Sequence, residues 1–436
     1  MDRPDGPDAR RALRVEAAAA ADAHGGVAPA VLLLDAAGEV LSLGRPEMVG
    51  ATPEARTVSV PHSLLLPGLV NAHAHLDLTS IGPRPFDAAA GFAAWAGMIR
   101  RKRPAAPEAI ADSVRAGVEA SLRGGTAIVG DIAGNRGLAA AEALRHLSLR
   151  GVSYIEVFGI GAAEDAGIGF LDELGSLAAS FTGAVRLGVS PHASYSCGDR
   201  LYARAAALGL PLATHLSETL EELRFNRDGE GPLADLLREV GVWSDEVVGW
   251  HATPIERLLP ILARSGAAIA HGNYLEHRDL DRLAEVAAEA ARAGISPVGL
   301  VYCPRASAYF GHPIAGEPPH RYRELRERGV PVALGTDGMV CLDTPDRLSV
   351  LDEMRLLHRR DGADPSTLLA MATVDGATLL GEPLEHAGLA TGDRPAGLLA
   401  IDLPNGRDVV DAGAALRTAL RLDVEPRWLL EPRGAP

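Results

Sequence analysis

The chain has 436 residues, 47% of them apolar and 23% charged. That length accommodates two to three domains, or one large barrel with an attached domain, and it buries a core large enough to fold without disulfides. With 42 Lys and Arg against 57 Asp and Glu the formal charge is −15, a balance that disfavours nucleic acid or an anionic membrane surface as partner and leaves a small molecule.

Residues 1–28 read as a loose tail with an Ala-rich segment of helical composition. Val31–Asp35 and Val40–Leu43 flank Ala-Ala-Gly-Glu, which predicts a hairpin. Val58–Val60 reads as a further strand. From Pro67 short apolar runs alternate with long amphipathic stretches. Eight of them read as strands: Leu69–Ala72, Thr126–Gly130, Val152–Phe158, Val185–Val189, Pro211–Thr214, Ala267–Ala270, Gly299–Tyr302 and Pro331–Leu334. The clearest helix is Pro107–Leu122, with proline in its first turn, Ile110, Val114, Val118 and Leu122 on one face, and Gly124-Gly125 as its stop. Pro365–Leu380 reads as another. Eight strand–helix alternations predict a (β/α)8 barrel. After about residue 385 short strand-like pieces return, Leu398–Asp402 and Val409–Val410, and a small β domain built from both chain ends is the simple reading. The expected organisation is 1–66 (tail and part of the β domain), 67–385 (barrel) and 386–436 (the remainder).

Lys102 is the only lysine. A P-loop is therefore excluded, and the run Arg100-Arg101-Lys102-Arg103 reads as a solvated helix end. Cys197, Cys303 and Cys341 are few and far apart, which suits a reducing, cytoplasmic setting. The N-terminus lacks the apolar core of a signal peptide, and no apolar run is long enough to span a membrane.

The polar residues at the strand ends carry the chemistry. His73 and His75 follow the first strand, His192 the fourth, His215 the fifth, His271 the sixth and Asp337 the eighth. This is the barrel face where active-site loops converge. Residues i and i+2 of a strand point the same way, so His73 and His75 can aim two imidazoles at one point. His215 and Asp337 would complete a three-histidine, one-carboxylate set suited to Zn²⁺ or Fe²⁺. Taken singly, each histidine reads equally as a core residue and Asp337 as a turn aspartate; together and in order they point to one metal.

The segments Pro67-Gly68-Leu69-Val70-Asn71-Ala72-His73-Ala74-His75, His215-Leu216-Ser217-Glu218-Thr219, Ala270-His271-Gly272-Asn273 and Leu334-Gly335-Thr336-Asp337-Gly338 resemble the amidohydrolase superfamily, in particular its mononuclear deaminase and chlorohydrolase branch. The resemblance covers about residues 60–400. It implies a metal-dependent barrel with a β-sandwich from both chain ends, and ligands at His73, His75, His215 and Asp337. His271 would orient water or substrate. A second, bridged metal is not implied, because the only lysine is misplaced. Glu218, three residues after His215, reads alone as a helix-start glutamate. Beside a metal site it becomes the proton shuttle to a ring nitrogen, with Asp337 as base toward water.

For the substrate, the resemblance gives His192 a contact role. Arg305, in Cys303-Pro304-Arg305, either binds a polar substrate group or pairs with a rim carboxylate; Ala306 departs there from the usual serine. Phe92 and Trp95 are either core packing or part of the mouth. His73–Ser80, this aromatic pair and the arginines after it look most like aminodeoxyfutalosine deaminases, with S-adenosylhomocysteine, methylthioadenosine or adenosine deaminases as the alternative. An s-triazine or pterin deaminase or dechlorinase would use the same site, and a non-catalytic scaffold is the reading from another class. Barrels of this kind imply a homodimer.

Overall fold

The computed structural model describes residues 11–134, 137–245, 247, 249–404 and 409–432. Strands β1 (Leu13–Asp22), β2 (Gly25–Val27), β3 (Ala30–Leu34), β4 (Val40–Gly44) and β5 (Arg56–Pro67) open the chain. Eight more follow: β6 (Leu69–Ala74), β7 (Thr126–Ala133), β8 (Arg150–Val157), β9 (Val185–Pro191), β10 (Ala213–Leu216), β11 (Ala267–His271), β12 (Val298–Tyr302) and β13 (Val332–Leu334). Finally β14 (Leu398–Asp402) and β15 (Arg427–Leu430) return to the first group.

The first five and last two strands make one sheet in the order β15-β14-β5-β1-β3-β4, with β2 on β1. The Ala-rich stretch is thus a strand where composition suggested a helix. Residue Val15 pairs with Leu32 on one side and Val58 on the other, so both backbone edges of β1 are bonded. Ala19 and Ala21 pack in one cluster with Leu64 and Leu66. Ala17 and Ala20 pack in another with Leu32 and Leu65. Alanine fits because apolar layers close on both faces, and that tertiary demand overrides its helix propensity. Val409–Val410 is likewise not a strand. It leads into a helix, Ala412–Arg421, capped by the Asp411 carboxylate accepting from the Ala414 N–H at 2.7 Å. This helix joins the cluster of Ala19 and Ala21 through Ala415, Leu416 and Ala419.

All eight strands expected in the barrel are present, as two parallel four-stranded runs, β6-β7-β8-β9 and β10-β11-β12-β13. Single bridges join the runs into a (β/α)8 barrel: Val189 with Leu212 and Ala193 with His215 on one side, Ala74 with Asp337 on the other. The strands are buried along nearly their whole length and are mostly apolar, as a parallel sheet covered by helices requires. The helix Pro107–Arg123 buries Ile110, Val114 and Val118. The expected helix over Pro365–Leu380 is two, Pro365–Met371 and Val374–Leu380. Thr373 leaves helical geometry between them, at φ −137° and ψ −94°. Among the described residues no helix is long and apolar enough to cross a membrane.

Candidate active site

β6 delivers His73 and His75 to the C-terminal rim of the barrel, where both are buried. The last strand closes on the first at this point. The carbonyl of His73 accepts from the N–H groups of Thr336 and Asp337 at 3.0 and 3.1 Å. Asn71 clasps the same turn, donating to Thr336 Oγ1 at 2.8 Å and accepting from the Thr336 N–H at 3.1 Å. A Cβ at Gly335 would stand 2.7 Å from that of His73, so only glycine lets the strands meet.

The imidazoles and the carboxylate then converge. Asp337 Oδ1 lies 3.4 Å from His75 Nε2 and 4.0 Å from His73 Nε2. His215 Nε2 lies 3.4 Å from His75 Nε2, and one nitrogen from each of His73, His75 and His215 falls within 4.8 Å of the others. His73 Nε2 and His75 Nδ1 are buried with no hydrogen-bond partner. An orphaned ring nitrogen such as His73 Nε2, among further imidazoles and a carboxylate in a buried site, is costly unless a cation takes its lone pair. The donor set therefore fits a divalent metal. Asp337 and His271 hold left-handed backbone, at φ 60° and 72°, a strain of about 1–3 kcal/mol each that residues other than glycine bear chiefly at functional sites.

Burial first, and neighbouring imidazoles second, hold His73 and His271 well below the usual histidine pKa. Burial likewise lowers His75, His192 and His215. All five are thus neutral, the form in which an imidazole donates a lone pair. Burial pushes Asp337 up to about 7, against the Gly338 N–H that donates to its Oδ1 at 2.8 Å. Glu218 is raised well above the carboxylate range by burial, then by the charges of Asp337 and Glu222.

Glu218 belongs to the turn before a helix, Leu220–Asp228, capped by Thr219. Its Oε1 lies 3.6 Å from His271 Nε2. Its backbone is held from both sides: the N–H donates to Glu222 Oε2 at 2.8 Å, and the carbonyl accepts from Asn273 Nδ2 at 3.0 Å. Glu222 is fixed in turn by the Ser194 hydroxyl at 2.5 Å.

The cluster opens into a cavity of ≈ 600 Å³ that Glu218, His192, His215, His271, Asp337 and Trp95 all line. His192 sits beside His215, ring centroids 5.2 Å apart, with Nδ1 2.7 Å from the Ser196 hydroxyl. Trp95 stacks on Phe92 and sends Nε1–H to the Tyr309 hydroxyl at 3.2 Å, away from the histidines. Arg305 does not reach this cavity. Its guanidinium pairs with Asp343 and Thr344 and stands 3.9 Å from Asp352 and Glu353, so the rim carboxylates have taken it.

Arg103 is the residue that the sequence reading missed. Far from being a solvated helix end, its side chain is 11% exposed and lies between Asp77, 2.7 Å away, and Glu156, 2.8 Å away, and all but touches Gly134, where a Cβ would meet the guanidinium. Both Arg103 and Glu156 line the cavity. The signal available was the single charged residue, Glu156, inside the mostly apolar run Val152–Phe158.

Comparison with known proteins agrees with this architecture. The 5-methylthioadenosine/S-adenosylhomocysteine deaminase of Desulfovibrio desulfuricans is 30% identical over 401 residues, 86% of this chain and 80% of the relative. An aminofutalosine deaminase from Helicobacter pylori superposes with TM-score 0.73 at 18% identity, covering 96% of this chain and 98% of that one. An adenosine deaminase from Xanthomonas campestris with bound zinc gives TM-score 0.71 at 20% identity, covering 95% and 92%. The sequence profile of the amidohydrolase family matches residues 64–405, and with the barrel and its histidine cluster in place, the chain belongs to that family.

Proposed function

We propose that the protein is a hydrolytic deaminase of a 6-aminopurine nucleoside-like substrate, with a single divalent ion, zinc in preference to iron, held by His73, His75, His215 and Asp337. The observation that carries this reading is Glu218 against His271 at 3.6 Å, at the edge of the histidine cluster and inside the same cavity. Burial raises the pKa of this carboxyl, which favours the acid form that can hand a proton to a ring nitrogen, as hydrolysis of an amino-substituted ring requires. The relatives named as methylthioadenosine/S-adenosylhomocysteine deaminases support the same substrate class.

The bound ion supplies Lewis-acid activation of water at neutral pH. Glu218 protonates the ring nitrogen beside the amino-bearing carbon, so that the ring accepts the attacking oxygen. Asp337 takes the proton that the water gives up and passes it to the departing amine. His271, neutral and stacked on His215 with centroids 5.4 Å apart, stands where charge develops at the tetrahedral carbon. His192 holds the base from the other side of His215. As the C–N bond breaks and the carbonyl forms, the proton of the added hydroxyl returns to Glu218, so the reaction consumes one water and releases ammonia. Phe92 and Trp95 form an aromatic wall farther out, which favours aminodeoxyfutalosine, a nucleoside with an aromatic substituent, over the smaller alternatives.

The test is ammonia release by zinc-loaded protein from aminodeoxyfutalosine, adenosine, methylthioadenosine and S-adenosylhomocysteine. A marked preference for the first is expected, and it should shrink in Trp95→Ala. Activity confined to the other three would move the substrate and keep the chemistry; none on any would overturn the deaminase reading.

A further inference from the structure

The site has a direction. Glu218 lies 3.6 Å from His271; the His271 and His215 ring centroids are 5.4 Å apart, and those of His215 and His192 5.2 Å. Glu156 Oε1 stands 4.0 Å from His192 Nε2, and Glu156, His192 and His215 offer ligand atoms within 4.8 Å of one another. The two carboxylates thus have different imidazole neighbours, His271 for Glu218 and the His192–His215 pair for Glu156. Glu218 marks the end where, on the deaminase reading, the amino group leaves, and the sugar of a purine nucleoside is attached across the base from that group.

Glu156 is built in rather than incidental. It is 2% exposed, it is the penultimate residue of β8, and its Oε2 accepts from Arg103 Nη1 at 2.8 Å. Arg103 is held from its other side by Asp77, through Nε at 2.7 Å and Nη2 at 3.3 Å. The guanidinium is committed to two carboxylates, so it serves poorly as a receptor for a phosphate or carboxylate group. What it does is fix the plane of the Glu156 carboxylate, with Oε1 turned toward His192 and the cavity. A carboxylate salt-bridged through one oxygen offers the other as a hydrogen-bond acceptor. Its natural ligand is a neutral donor, and a hydroxyl pair on a sugar is the donor that a nucleoside carries at that end.

We propose that Glu156, positioned by Arg103, is a specificity-determining residue that accepts hydrogen bonds from the sugar hydroxyls of the substrate. This inference rests on the deaminase reading and narrows it to hydroxylated nucleosides. A buried site built for a hydroxyl discriminates strongly against an analogue that lacks it, because the acceptor is then left unpaired.

The experiment compares kcat/KM for the best nucleoside of the panel and for its 2′,3′-dideoxy analogue, in wild-type protein and in Glu156→Gln. The wild type should prefer the hydroxylated compound by roughly a hundredfold. Glu156→Gln should narrow that ratio by at least about tenfold, mainly by raising KM for the hydroxylated compound, with kcat/KM on the dideoxy analogue little changed. That last value also reports whether the variant is folded; should it not be, Glu156→Asp, which keeps the charge beside Arg103 and shortens the reach, carries the same comparison. An unchanged ratio in an active variant overturns this inference alone. Absence of ammonia release from every nucleoside by wild-type protein overturns the deaminase reading and this inference with it.

Discussion

His215 Nδ1 lies 2.8 Å from the backbone carbonyl oxygen of His192. A carbonyl only accepts, so Nδ1 carries the ring proton and Nε2 is left with its lone pair toward His75. One residue's backbone thereby sets the tautomer of its neighbour's ring. His215→Ala removes that donor from a cluster of three and should leave the purified protein without a stoichiometric metal ion. Elemental analysis after dialysis checks this, and retention of a full equivalent would remove His215 from the ligand set.

Glu218→Gln keeps the shape of the side chain and its backbone clasp to Glu222 and Asn273. Metal content should be unchanged while kcat falls by about 10²–10⁴, the usual worth of a positioned acid or base. Normal turnover would show that the proton comes from elsewhere.

Arg305 gives the converse expectation. Its side chain is 9% exposed beside Glu353, which is fully buried. Arg305→Met strands that carboxylate without its cation, while Asp352 keeps Arg347 and Arg355 at 2.7 and 2.9 Å; breaking a buried pair costs up to about 3–5 kcal/mol. Denaturant unfolding should show the loss, whereas KM of the folded fraction should hardly move. A large rise in KM without a loss of stability would return Arg305 to the substrate.

Asp131 makes stability depend on pH. Its carboxylate accepts from the Leu76 N–H at 3.0 Å and from the Ser153 hydroxyl at 3.2 Å, yet burial and the charge of Asp77 raise its pKa from 3.8 to about 7. The folded state therefore binds this proton more tightly than the unfolded state does. The stabilisation is complete below the unfolded value and is lost as pH rises through about 7. Asp131→Asn, neutral throughout, should lose less stability between pH 4 and 7.5 than the wild type does, measured as Tm across that range. Parallel curves for the two proteins would show that Asp131 is ionised in the fold.

The barrel was legible in the sequence because its strands are buried on both faces and stand out as short apolar runs, Thr126–Gly130 among them. The cluster was legible because every member sits where such a run ends. What escaped depends on partners distant in sequence. Ala17–Ala21 has helical composition, and only the strands on either side of it make it a strand. Arg103 follows three exposed or partly exposed basic residues and looks like them; its burial is decided by Asp77 and Glu156, one on the first barrel strand's loop and one on the third strand. Arg305 was readable as one of two alternatives, and only the position of Glu353 chooses between them.

The Ala74–Asp337 bridge has a consequence for assembly. Three histidines of the cluster lie in the first half of the chain, but the carboxylate that faces them arrives only with the final barrel strand. On a ribosome, a nascent chain can present the imidazoles long before the fourth group has been synthesised. The seam between the two barrel halves at this point is a single bridge, the hydrogen bonds to the His73 carbonyl and the Asn71 clasp on Thr336. An ion bound across it would act as a buckle, fastening the oldest and youngest parts of the barrel together.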